Sequence, residues 1–151
     1  MQRVHVLAAT LLFLTVSLSL APAVSSRTQV AQDQEAVRQA GLDYVEGVYN
    51  VQPERIERSV HPSLVKSGFM RREGAYVETM MSYQELVSLA RTWNKDGKRD
   101  TSSKKVEILD LLDQTAVVKV TASWGVDHML LGKYDGRWKI RLIQWQAPPA
   151  P

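Results

Sequence analysis

WGVDHMLLGKYDGRWKIRLIQW, residues 124–145, decides how this chain folds. Near its middle stands Asp135-Gly136, a pair that tolerates positive φ and suits a two-residue type I′ turn. Apolar and aromatic residues flank it on both sides, which is the pattern of a β-hairpin. With Asp135 and Gly136 in the loop, Tyr134 faces Arg137, Lys133 faces Trp138, Leu131 faces Ile140, Met129 faces Leu142 and Asp127 faces Gln144. Side chains alternate along a strand, so one face carries Leu131, Ile140, Met129, Leu142 and Trp138 and ends in Asp127 and Gln144. The other face carries Arg137, Lys139, Arg141, His128, Leu130, Val126, Ile143 and Trp145. The first face reads as a core that ends in a polar pair, and a pocket is expected at that end.

Upstream of the hairpin, residues 105–112 and 115–122 read as two more strands joined at Asp113-Gln114. A connection over Ser123–Val126 would set Ala122 opposite Asp127 and Val120 opposite Met129, adding Val118 and Val120 to the apolar face. The first half of the chain has helical periodicity instead. From Asp33, a candidate N-cap, the positions Val37, Ala40, Tyr44, Val45 and Val48 mark a helix that ends near Asn50. Pro53 suits the first position of a short second helix bearing Ile56 and Val60. His61-Pro62 predicts a turn, with Leu64 and Val65 packing inward and Ser67-Gly68 acting as a breaker. Arg71 to Gly74 reads as a polar turn and Ala75 to Met81 as a strand. Ser82 and Glu85 form a capping-box pattern opening a third helix along Leu86, Leu89, Ala90 and Trp93, which Gly97 can stop. Helices first and a four-strand meander last predict an α+β fold, a curved antiparallel sheet wrapping three helices.

The 151 residues suffice for one domain, expected over 33–147, with a flexible lead-in at 24–32 and a tail at 148–151. Residues 1–23 read as a signal peptide: Arg3 gives a basic start, Val6–Leu20 is apolar, and Ala21-Pro22-Ala23 has the small-x-small form of a cleavage site. The apolar run is short for a membrane span of ~20 residues. The mature chain is therefore expected to be secreted or periplasmic, with no membrane span. Cysteine is absent, which excludes disulfides, thiolate metal sites and a catalytic thiol. The formal charge of +3 and pI near 9.3 are mild. Residues 94–105 hold five cations against two acids, yet no aromatic platform is interleaved, so this reads as a solvated loop and no nucleic-acid partner is expected.

Five segments, DYVEGVY (43–49), HPSLVK (61–66), MSYQELV (81–87), VEILD (106–110) and VDHMLLGKYDGRWKI (126–140), resemble the putative lumazine-binding family. That family belongs to the nuclear-transport-factor-2-like superfamily, which includes the SnoaL-like proteins, and the resemblance covers roughly residues 35–146. It implies a cone-shaped α+β domain with a cavity between helices and concave sheet, commonly in a homodimer. It implies no particular ligand. The superfamily's isomerases and dehydratases work with Asp, His and Tyr in that cavity, but their motifs do not match this chain residue by residue, so no catalytic residue is assigned.

Asp127 heads the candidate ligand-binding residues, because a desolvated carboxylate suits either proton transfer or holding a ligand N–H. Gln144 is placed beside it, and His61, Tyr44, Trp138 and Met129 complete the expected lining. His128 falls on the opposite face from Asp127, so the two form no dyad. Neither a metal site nor a cofactor is expected, since the three histidines lack supporting ligands. The leading expectation is an exported domain binding an unidentified small molecule. An acid–base enzyme using Asp127 and His61, or an interaction module using the outer sheet face, are the alternatives. Val126, Ile143 and Trp145 on that outer face predict a homodimer formed sheet to sheet.

Overall fold

The computed structural model describes residues 22–149; most of the expected signal peptide lies outside the described residues. The elements are α1 (Pro22–Tyr49), α2 (Pro53–Ser59), β1 (Val60–Arg72), β2 (Ala75–Met81), α3 (Tyr83–Ala90), β3 (Lys104–Leu111), β4 (Thr115–Ala122), β5 (Gly125–Tyr134) and β6 (Arg137–Gln146). One six-stranded sheet runs in the order β2-β1-β6-β5-β4-β3. It is curved and unclosed, and it wraps the helices as the cone-shaped α+β reading requires. The sheet is mixed, because β1 joins β6 in parallel while every other neighbouring pair is antiparallel.

The hairpin forms where the sequence places it. Asp135 and Gly136 have φ of 49° and 75°, the positive values that a type I′ turn demands. Pairing starts as expected, with Tyr134 opposite Arg137, Lys133 opposite Trp138 and Leu131 opposite Ile140. A β-bulge then intervenes: Leu130 pairs with Leu142, leaving Arg141 as the extra residue. A one-residue slip exchanges the two faces of a strand. Met129 is therefore opposite Ile143, His128 opposite Gln144 and Asp127 opposite Trp145. Ile143 and Trp145 turn into the cone, whereas Leu142 and Gln144 turn outward and are exposed, which corrects the expected register over the second half of β6.

Between β4 and β5 the error is harmless. The link is Ser123-Trp124 alone, so Ala122 pairs with Gly125, Val120 with Asp127 and Val118 with Met129. The register moves by an even number of residues, and Val118, Val120 and Met129 remain inside, each no more than 1% exposed.

α1 also begins earlier than its periodicity suggests, and the segment read as a flexible lead-in is helical. Asp33 is no N-cap. It sits inside the helix, where its Oδ1 accepts hydrogen bonds from Trp138 Nε1 at 2.9 Å and Lys133 Nζ at 2.6 Å. Val37, Ala40, Tyr44, Val45 and Val48 form the buried stripe of α1, which packs with Ile56, Leu86 and Ala90 against the sheet. α3 has the full capping box between Ser82 and Glu85. His61-Pro62 lies inside β1, where the register against β6 shifts between Val60 and Val65, so the expected turn is an irregularity within the strand and not its end. β1 runs on through Ser67-Gly68, so the expected breaker also lies inside a strand. Leu64 is buried, but Val65 points outward and is 46% exposed.

Candidate functional site: a tryptophan-lined cavity over a buried ion pair

β1 and β5 together place a lysine and an aspartate inside the cone. Alternation along β1 sends Leu64, Lys66, Gly68 and Met70 inward, and alternation along β5 does the same for Asp127 and Met129. Lys66 Nζ lies 2.8 Å from Asp127 Oδ1, with the two side chains 5% and 0% exposed. α1 contributes Tyr44, whose hydroxyl accepts a hydrogen bond from Lys66 Nζ at 2.9 Å and donates one to Asp127 Oδ1 at 3.2 Å. The second carboxylate oxygen, Oδ2, accepts from Trp124 Nε1 at 2.7 Å. Both oxygens of Asp127 are thus satisfied, the condition under which a charge can stay buried. Burial, and then the Asp127 charge, push the Tyr44 hydroxyl well above its ordinary pKa, so it remains a neutral phenol.

Above this group lies a cavity of about 210 Å³. Its walls include Trp93 from the turn after α3, Trp124 from the β4–β5 link and Trp145 from β6, with Met70, Met81 and Leu89. Two of the indoles are braced edge to face: Trp93 and Trp124 have ring centroids 5.4 Å apart at 82°, and Tyr49 stacks on Trp93 at 5.5 Å. The Tyr49 hydroxyl holds the link that carries Trp124, accepting from the Ser123 N–H at 2.7 Å and donating to the Ser103 carbonyl at 2.6 Å. Trp145 covers Gly68, where a Cβ would fall 2.2 Å from its Cδ1. Lys66 Nζ stands 5.3 Å from the centre of the Trp145 ring, a cation–π contact.

Tyr44 lines this cavity and Asp127 lies directly behind its polar end. The other residues singled out in the sequence are elsewhere. Gln144 is on the outer face, its Oε1 accepting from Ser67 Oγ at 3.0 Å. His61 packs its ring 4.4 Å from that of Tyr134, and its Nδ1 accepts from the Ser63 N–H at 3.1 Å. It sits at the Ile140 level of β6, whereas Asp127 is at the Trp145 level, so no acid–base pair forms. Trp138 is tied to Asp33, and Met129 is core that does not reach the cavity. Lys66, Trp93, Trp124 and Trp145 are among the lining residues not chosen from sequence. Among the described residues no group of three or more His, Cys, Asp and Glu side chains could hold a metal ion. No helix among them is long and apolar enough to cross a membrane.

This is the architecture of nuclear-transport-factor-2-like proteins. The fold matches a protein of that kind, of unknown function, from Silicibacter pomeroyi, with TM-score 0.61 and 14% identity over 79% of this chain and 98% of that one. It also matches one from Shewanella baltica, with TM-score 0.59 and 16% identity over 80% and 97% of the two chains. A protein from Novosphingobium aromaticivorans described as a putative scytalone dehydratase is similar too, with TM-score 0.52 and 13% identity over 81% and 88%. Such identities speak for the fold alone. Among curated proteins none matches the sequence. The chain belongs to the family described as putative lumazine-binding, whose model matches residues 32–145.

Proposed function

We propose that this chain is an exported domain that binds a small molecule in the cavity beneath Trp93, Trp124 and Trp145. The observation that carries the reading is the contrast within one cavity: mostly apolar and aromatic walls, with Thr79 among them, around one charged group, Lys66 with Tyr44. Binding sites for small molecules have this composition. A binder is favoured over an acid–base enzyme because Asp127 has both oxygens occupied and His61 is distant from it. Export rests on the sequence of residues 1–23, and N-terminal sequencing of the exported form should begin near Val24. Mass spectrometry of the purified mature protein should recover a retained small molecule from the wild type and not from a variant with Trp145→Ala. Equal recovery from both would remove the cavity from the reading.

The partner we propose on the outer face is a second copy of the chain. The bulge replaces the expected patch with another: Val117, Leu130, Leu142 and Val65 stand side by side across β4, β5, β6 and β1. Leu130 and Val65 are 47% and 46% exposed, and an apolar row that crosses four neighbouring strands is the kind of patch that meets its own copy about a two-fold axis.

A further inference from the structure

We infer that the cavity selects planar, uncharged carbonyl compounds (aromatic ketones, amides or lactams) and rejects carboxylates of the same shape. The inference rests on the reading that a small molecule occupies the cavity, and it adds the chemistry of that molecule. A buried lysine in an aromatic pocket invites the opposite expectation, an anion site, so the charges decide the matter.

The ammonium of Lys66 has three N–H groups. Asp127 Oδ1 takes one and the Tyr44 oxygen takes another, which leaves one donor for a ligand. The positive charge is already matched by a carboxylate 2.8 Å away that is itself fully buried. No other charged side chain lines the cavity. A ligand carboxylate would therefore add a second negative charge beside Asp127 with no free cation to meet it, in surroundings where a buried unpaired charge is costly. A carbonyl oxygen accepts the same charge-assisted hydrogen bond and brings no net charge. The indole walls favour flat π surfaces. Since an apolar cavity of about 150 Å³ holds benzene, the 210 Å³ here suits one or two fused rings with a small substituent.

Three probes with one ring system separate these possibilities: naphthalene-2-carboxamide, 2-naphthoate and naphthalene, titrated at neutral pH by calorimetry and by quenching of tryptophan fluorescence. The carboxamide should bind about tenfold tighter than naphthalene, the gain of one hydrogen bond to a charged donor, and tighter than 2-naphthoate by at least as much. In Asp127→Asn the counter-charge is gone, and the order of carboxamide and naphthoate should reverse. If that variant does not fold, the wild-type order alone decides. Naphthoate binding as tightly as the carboxamide in the wild type would overturn the inference while leaving the cavity as a binding site. If none of the three binds, the cavity reading fails and the inference fails with it.

Discussion

Gly68 and Trp145 are in direct contact across the parallel β1–β6 pair, and a Cβ at residue 68 would lie 2.2 Å from the indole Cδ1 and 2.2 Å from the Trp145 carbonyl oxygen. A glycine inside a strand often marks such a close approach, and here it seats one wall of the cavity. Gly68→Ala should displace Trp145, destabilise the protein by about 1–3 kcal/mol through overpacking, and weaken ligand retention. Denaturant unfolding and tryptophan emission check this. An alanine variant with unchanged emission and stability would show that the contact is not what positions the indole.

Lys66 and Asp127 behave as one unit. Lys66→Met leaves the Asp127 carboxylate buried with only Tyr44 and Trp124 as donors, and loss of one partner of such a pair costs about 3–5 kcal/mol. Adding Asp127→Asn removes the orphaned charge. The double variant should therefore be more stable than the sum of the single losses, as a double-mutant cycle in urea would show. Strict additivity would mean that the two charges are not coupled.

Acid should loosen the outer anchoring of α1. The Lys133 hydrogen bond holds Asp33 below the usual carboxylate range, and the Lys104 hydrogen bond does the same for Glu46. Burial pushes Asp43 up, but its hydrogen bonds to Arg58 and Gln39 outweigh this and leave it lowered. Each group binds a proton less readily folded than unfolded, so its stabilisation is present above the unfolded pKa of about 4 and is lost as pH falls through the folded value. Tm should be flat near neutral pH and fall below about pH 4. Asp33→Asn should lower Tm at neutral pH and shrink the acid-induced drop; an unchanged drop would remove Asp33 from this account.

Much of this fold is legible because the signals are local. Asp135-Gly136 fixes the hairpin turn, Ser82 and Glu85 fix the start of α3, and the spacing of Val37, Ala40, Tyr44 and Val48 fixes the buried stripe of α1. The bulge is a different matter. Leu142 and Ile143 are adjacent and apolar, so either could face the core, and one extra residue at Arg141 decides for Ile143. That choice sends Trp145 inward and Gln144 outward, exchanging a predicted pocket residue for a predicted surface one. Lys66 was hidden for another reason. A lysine is rarely buried without a partner, and its partner lies 61 positions away on another strand. The available clue was the alternation Leu64, Lys66, Gly68, Met70, which a reading of Ser67-Gly68 as a breaker interrupts.

The outer row gives a test of assembly that the bulge makes specific. Leu130→Glu or Leu142→Glu should shift a wild-type dimer toward monomer in sedimentation at micromolar concentration, since truncating or charging a central anchor costs about 2 kcal/mol or more. Both leave the inward-facing residues in place. A wild type already monomeric at that concentration would contradict the proposal of a second copy on this face.

The most direct test of the central claim is a crystal structure of the mature protein with naphthalene-2-carboxamide. The ring should lie between Trp93, Trp124 and Trp145 with its carbonyl oxygen within hydrogen-bonding distance of Lys66 Nζ. A molecule found instead in the open groove beside Phe69, Val126 and Pro148, on the other side of the sheet, would contradict it.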